Sequence, residues 1–486
     1  MSRYLVINSL DNVGVALGDL EKGTTFNVNG EIITIRESIS QGHKFAIKDI
    51  KQGDDIIKYG SPIGHSTSNI ERGEFVHTHN LKTNLSSVLN YSYDKTPNTV
   101  NNEIVEKKFL GFVRDNGSVG IRNEIWIINT VGCVNKTAEN IAKRFDNVYT
   151  FSHPYGCSQL GDDHKTTQKI LKNLVHHPNA GAVLVLGLGC ENNNIKEFKK
   201  VLGSVNETRV RFLETQSVNN ELEEASKIII ELQNIISKDC RVPCNISELV
   251  IGLKCGGSDG LSGITANPLL GKISDTIIDN GGTSILTEVP EMFGAETILM
   301  NRAKNDLVFN NTVSLINNFK EYFIKHNQVV YENPSPGNKD GGITTLEEKS
   351  LGCTQKGGNR EVEAVYEYGN IVTTKGLNLL NGPGNDIVAV TNLAAAGCHL
   401  LLFTTGRGTP LGGPVPTIKI SSNNQLAERK KDWIDFNAGV LTTGESIDKL
   451  SDSLLNFIIN VASGKETLNE INNYREIAIF KDGVTL

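Results

Sequence analysis

The chain has no apolar run near the ~20 residues that a membrane-spanning helix needs. It has no long block of lysine and arginine, and its net charge is −7, which argues against nucleic acid as the main partner. Eight cysteines in 486 residues are too sparse for a disulfide scaffold, so thiols in a reducing compartment are expected. The segment Gly187-Leu188-Gly189-Cys190-Glu191-Asn192 lacks the third glycine of a dinucleotide-binding loop, and no Walker A loop occurs. Neither type of nucleotide is therefore expected. The opening Met1-Ser2-Arg3-Tyr4-Leu5-Val6-Ile7-Asn8 reads as a strand and not a signal peptide, so a cytoplasmic location is expected. What is present is 38% hydrophobic and 21% charged residues, enough for a packed core.

Four segments share one design: an apolar run, then a glycine-rich turn with a cysteine or polar cluster. They are 127–133, 183–192, 249–260 and 399–408. Each reads as a buried strand of a parallel sheet whose loop sets reactive groups at its carboxyl end, the edge where open α/β sheets bind ligands. The fold class expected is α/β, with a small all-β domain at 1–90, a polar linker at 91–107, and two parallel-sheet α/β units at 108–245 and 246–486. In the first domain the turn Asp/Asn-x-x-x-Gly recurs at 19–23, 49–53 and 69–73, which suits short strands in a barrel-like module. The linker predicts a module free to move against the body. Residues 388–391 read as a strand, and 332–360, rich in glycine, as a long functional loop.

In Phe75-Val76-His77-Thr78-His79-Asn80, strand alternation would put His77 and His79 on one face, a metal-binding pair. His43 could join them or act as an acid or base. The stretch 152–164 packs His153, Cys157 and His164 with two aspartates around glycines, which suits proton transfer or a metal. Cys190 and Glu191 fall at a strand end. Lys254-Cys255-Gly256-Gly257-Ser258-Asp259 and Thr405-Gly406-Arg407-Gly408 offer cations and backbone amides to a carboxylate ligand.

Gly42-His43-Lys44-Phe45-Ala46 and His77-Thr78-His79-Asn80 resemble the N-terminal SAF (β-clip) module of the altronate and galactarate dehydratases. Gly120-Ile121-Arg122-Asn123, Gly132-Cys133-Val134-Asn135, Gly156-Cys157-Ser158-Gln159, Gly189-Cys190-Glu191-Asn192 and Asn333-Pro334-Ser335-Pro336-Gly337-Asn338 are similar to that family's body. The resemblance implies a hydro-lyase that removes water from a sugar acid, with the altronate branch favoured: D-altronate to 2-dehydro-3-deoxy-D-gluconate. It also implies a divalent metal, iron(II) first and manganese(II) second. On that basis His77, His79, Cys157, Cys190 and Cys255 are expected metal ligands. Arg122, Lys254 and Arg407 are expected carboxylate holders. His43, His153, His164, Glu191 and Asp259 are expected proton-transfer groups. A galactarate dehydratase, a carbon–sulfur lyase like the sulfolactate sulfo-lyases, and a non-enzymatic sugar-acid binding protein are the alternatives. A small sugar acid is the expected partner, with a homodimer as the default assembly.

Overall fold

The computed structural model describes residues 3–28, 30–96 and 107–486. The first part is all β. Antiparallel strands run in the order Tyr4–Leu5, Val13–Ala16, Lys44–Ala46 and Phe75–Val76, and a second sheet joins Asp55–Lys58, Ser61–Ser66 and Leu81–Lys82. The recurring turn links them. Gly23, Gly53 and Gly73 sit at φ of 85°, 89° and 85°, a left-handed conformation that favours glycine. Their amides donate to the carbonyls of Ile35, Ser66 and Ala46.

Two parallel sheets follow. The first orders its strands Val148–Thr150, Glu124–Asn129, Ala180–Gly187, Val210–Glu214. The second has seven: Val362–Tyr366, Gly376–Leu380, Thr283–Leu286, Val250–Cys255, Leu400–Thr405, Thr417–Ser421 and Phe436–Asn437. Helices cover both faces, which is why these strands read as unbroken apolar runs. Every residue of Leu400–Thr405 and of Thr283–Leu286 is buried. An antiparallel pair, Lys108–Val113 with Val242–Asn245, spans the start and end of the first body unit. Among the described residues no helix is long and apolar enough to cross a membrane.

Three expectations need correction. Residues 388–391 belong to a helix, Asp386–Ala395, capped by the Asn385 side chain, which accepts from Val388 N. A short apolar run buried on all sides carries no periodicity to tell helix from strand. Residues 332–360 are not a loop throughout: they contain the helices Pro336–Asp340 and Leu346–Cys353. The module is also not loose. Residues 97–106 of the expected linker lie outside the described residues, but 91–96 are tied to the body: Tyr91 donates to Glu296 at 2.5 Å, Tyr93 to the Ala303 carbonyl at 2.6 Å, and Thr96 N to the Asn301 carbonyl at 2.8 Å.

The module is held by buried charge. Glu348, on Leu346–Cys353, accepts from Lys44 Nζ at 2.9 Å and from Lys58 Nζ at 2.7 Å, all three side chains being fully buried. Lys44 also donates to the Gly342 carbonyl at 2.8 Å. Thr83 and the Asn84 amide donate to Glu347. Apolar contact adds to this, since Ala295 and Leu351 of the body share one core with Val13, Ala46 and Val76 of the module. Burial would raise the Glu348 carboxyl, but the two ammonium groups outweigh it and hold it well below the ordinary carboxylate range. Replacing Glu348 with glutamine leaves two buried ammonium groups without their anion, a change that costs about 3–5 kcal/mol. Glu348→Gln is expected to lower the denaturant midpoint accordingly; a midpoint within error of the parent would show that the triad does not hold the module.

Candidate active site

The carboxyl ends of three neighbouring strands, together with one helix, assemble a buried polar cluster. Val250–Cys255 ends in Lys254 and Cys255. The turn after Thr283–Leu286 carries Glu288 and Glu291, with Glu288 at φ 70°, a conformation that costs a non-glycine residue about 1–3 kcal/mol. That turn aims the Glu288 carboxylate back at Lys254 Nζ, which bonds it directly and also reaches Asp386 Oδ1 at 2.6 Å. Leu346–Cys353 contributes Lys349, 2.9 Å from Glu291, and Cys353, whose sulfur is 3.4 Å from that of Cys255. Glu291 Oε2 lies 2.9 Å from the Cys255 sulfur, and Lys356 Nζ donates to that sulfur at 2.8 Å. Three cations thus interleave with three carboxylates around two thiols.

The electrostatics follow from this arrangement. The hydrogen bond from the Cys353 thiol, with the ammonium groups of Lys356 and Lys254, outweighs burial and Glu291 and holds the Cys255 thiol down to about 6. Giving that hydrogen bond, and burial, push Cys353 well up. Burial opposes the charge on Lys349, but Glu291 and the sulfurs raise it above the ordinary lysine range, so it stays a cation. Among the described residues Cys255, Glu291 and Cys353 are the one group of three or more histidine, cysteine or acidic side chains whose ligand atoms all lie within 4.8 Å of one another.

A cavity of about 740 Å³ opens in front of the cluster, lined by Gly256, Gly257, Glu291, Asn333, Asn338, Lys349 and Asp386 among others. Lys349 donates to the side-chain oxygens of Asn333, at 3.0 Å, and Asn338, at 3.2 Å. Behind the cluster, Lys58 and Tyr59 of the β module line a small gap with Lys349 and Cys353. The module therefore abuts the site.

The residues singled out in the sequence divide sharply. Cys255 and Lys254 lie in the cluster, although Lys254 is fully buried and bonded to Glu288, Asp386 and the Cys255 carbonyl, which leaves it no donor for a ligand. Arg122 is likewise occupied: its guanidinium bonds both oxygens of Glu470 and the carbonyls of Ile121, Val461 and Lys465. Arg407 is exposed, its backbone amide donates to Gly257 O at 2.8 Å, and its guanidinium bonds no described residue. Asp259 accepts from Ser262, Ser422 and Asn423, tying the loop after Val250–Cys255 to the one after Thr417–Ser421. Glu191 accepts from the Thr130 hydroxyl at 2.6 Å and from the amides of Leu188 and Gly189; these bonds outweigh burial and lower its pKa. His153 is buried, with Nε2 donating to the Asn129 carbonyl and Nδ1 accepting from Tyr155 N. His164 is half-buried on Gly161–Val175, with burial lowering its pKa.

The histidine pair rests on a premise that fails. The strand ends at Val76, and His77 and His79 lie in the turn beyond it, closed by hydrogen bonds between His77 and Asn80, so strand alternation does not apply. His77 Nε2 donates to the Lys339 carbonyl, and burial, then Lys44, pushes it down to about 4. His43 Nε2 donates to Asp340 O, its ring 5.4 Å from that of His77, while His79 is exposed beside Phe75. The half-buried rings of His43 and His77 thus brace the helix Pro336–Asp340, which borders the cavity. Cys157 and Cys190 are exposed on the other body unit. Glu288, Glu291, Lys349, Cys353, Lys356 and Asp386 were not anticipated. Glu288 and Glu291 follow a strand directly, so the strand-end rule applied to the sequence would have found them. Lys349 and Cys353 sit on a helix with every residue buried, which leaves no amphipathic signal.

Residues 2–84 match the altronate/galactarate dehydratase SAF domain. Residues 111–237 match the second domain of D-galactarate dehydratase/altronate hydrolase, and 246–485 the C-terminal domain of D-galactarate/altronate dehydratase. The chain is 52% identical to the altronate dehydratase of Escherichia coli (strain K12) and 54% identical to that of Bacillus subtilis (strain 168), with 100% of both chains covered in each case. It is 32% identical to the galactarate dehydratase (L-threo-forming) of Escherichia coli (strain K12), over 98% of this chain and 96% of that one. With all three domains in the same order and end-to-end similarity to these enzymes, the chain belongs to the altronate/galactarate dehydratase family.

Proposed function

We propose that this chain is a hydro-lyase that converts D-altronate to 2-dehydro-3-deoxy-D-gluconate and water. The observation that carries the reading is the end-to-end identity of 52% and 54% to two altronate dehydratases, against 32% to the galactarate enzyme. The strand-end cavity supplies the groups the reaction needs. The C2–H proton leaves to a base, the C3–O bond breaks with a proton delivered to the departing hydroxyl, and the enol tautomerises to the 2-keto acid. Negative charge develops on the carboxylate in the process, and a fixed cation stabilises it. Lys349 is that cation, acting through its charge, since its three donors are held by Glu291, Asn333 and Asn338. Asp386, on the cavity wall and partly exposed, is the carboxylate placed to take the proton. Arg407, at the Gly257 edge, is the free guanidinium placed to hold the substrate carboxylate.

Cys255, Glu291 and Cys353 fit a divalent ion. Their donor atoms are already within 4.8 Å of one another, and two sulfurs with one oxygen favour iron(II) over manganese(II), which prefers oxygen. Charge supports the fit. The Cys353 hydrogen bond and the ammonium groups of Lys356 and Lys254 already draw the Cys255 sulfur toward the thiolate that a metal ligand must be. When bound, such an ion supplies Lewis acidity toward a substrate oxygen.

Incubation with ferrous iron and D-altronate is expected to yield a 2-keto-3-deoxy acid faster than incubation with galactarate; the reverse preference would overturn the substrate assignment. In protein loaded with ferrous iron in the absence of sulfide, Cys353→Ser is expected to lower tightly bound iron by at least about tenfold, as read by elemental analysis, and undiminished iron would remove the ion from this cluster. Arg407→Lys keeps the charge but loses the planar fork. Loss of a charge-assisted hydrogen bond worth ~1.5–3 kcal/mol should reduce kcat/KM by about 10- to 150-fold, with the melting temperature unchanged. Unaltered kinetics would leave the substrate carboxylate to another group.

A further inference from the structure

Of the six cysteines outside this chemistry, three share one edge of the molecule. Glu124–Asn129, Val148–Thr150 and Ala180–Gly187 are adjacent parallel strands, and the loops that leave their carboxyl ends carry Cys133, Cys157 and Cys190. Register aligns two of them, since Asn129 pairs with Leu186 and Cys133 and Cys190 each lie four residues past that pair. The loops are locked together. Gly132 N donates to the Tyr155 carbonyl at 2.9 Å, Asn193 N to the Gly156 carbonyl at 3.0 Å, and Ser158 N to Asn192 Oδ1 at 3.0 Å. Cys157 therefore sits between two residues bonded to the loop that carries Cys190.

Each cysteine directly follows a glycine, and the glycine is what lets the loops close. A Cβ on Gly132 would lie 2.7 Å from the His153 carbonyl oxygen, one on Gly156 would strike the Thr130 carbonyl oxygen, and one on Gly189 would lie 2.7 Å from Gln216 Oε1. Gly156 and Ser158, on either side of Cys157, both have positive φ, 99° and 59°, so the backbone turns sharply to present that side chain. All three thiols are free and exposed. Three helices, Asn135–Ala142, Gly161–Val175 and Ile195–Leu202, begin just after these loops, and helix N-termini favour negative charge.

We infer that Cys133, Cys157 and Cys190 hold an iron–sulfur cluster, with one iron left open to solvent. A single zinc or iron ion bonds sulfur at about 2.3 Å and so needs its thiolates within about 4.6 Å of one another. These three, all among the described residues, form no such group within 4.8 Å, whereas a cluster, with its own sulfides between the irons, spans more widely separated thiolates. The site is separate from the Cys255 cluster and does not depend on the dehydration reading.

The test is anaerobic reconstitution of the full-length protein with ferrous iron and sulfide, followed by assay of iron and acid-labile sulfide and by visible and electron paramagnetic resonance spectra. About four irons and four sulfides per chain are expected. Serine at Cys133, Cys157 or Cys190 should cut the sulfide content and the visible band severalfold with circular dichroism unchanged, while Cys353→Ser keeps both. A parent protein that gains no labile sulfide overturns the assignment, whatever the variants do. So does sulfide retained in the triple serine variant, or iron bound at these cysteines without sulfide.

Discussion

Everything near the cavity depends on burying charge in pairs on one short helix. Leu346–Cys353 has no exposed residue, yet it carries Glu347, Glu348 and Lys349 in succession. Desolvating a charge costs several kcal/mol unless it finds a partner, so each of the three dictates a neighbour. Glu347 takes the module's Thr83 and Asn84, Glu348 takes Lys44 and Lys58, and Lys349 takes Glu291 across the cavity floor. One turn further on, Cys353 meets Cys255. A single helix thus links the β module to the strand-end cluster.

This linkage explains why a small β module belongs to an enzyme whose cavity lies in the body. Lys58 and Tyr59 border the gap behind Lys349 and Cys353, and His43 and His77 brace the helix Pro336–Asp340 from outside. The module supplies no side chain to the cavity lining itself. It braces the helix that carries Asn338 and neutralises Glu348, the residue beside Lys349 on the same helix.

The strands were legible because a parallel sheet leaves an unmistakable trace, apolar runs that end in glycine. The same trace pointed to Cys255 and to the Arg407 loop. Pairing between distant segments was not legible. Arg122, Glu191 and Asp259 look reactive in sequence and are saturated in the fold, since Glu470, Thr130 and Ser422 reach them from elsewhere. Lys349 looks ordinary because its helix is buried all round, without the polar face that marks a surface helix, and Asp386 because it opens an apolar run that reads equally as strand. The strand alternation expected of the histidine pair is missing for a local reason: the strand stops at Val76, before either histidine.

Cysteine shows how little a motif says without its surroundings. Gly-Cys occurs at Cys133, Cys157 and Cys190, and Cys255 stands directly before a glycine, so all four look alike in sequence. The sheet that each one leaves decides its chemistry. At the end of Val250–Cys255 the thiol is closed in by Cys353 and Lys356, whose hydrogen bond and positive charge draw it toward the thiolate. At the end of the first sheet, among the described residues, the thiols meet only neutral donors, Ser158 at Cys157 and Gln216 at Cys190. Their loops instead press against one another through glycine, and three side chains are left exposed at a common edge. Burial favours one polarised sulfur among fixed charges. Exposure on interlocked loops favours sulfurs that act together.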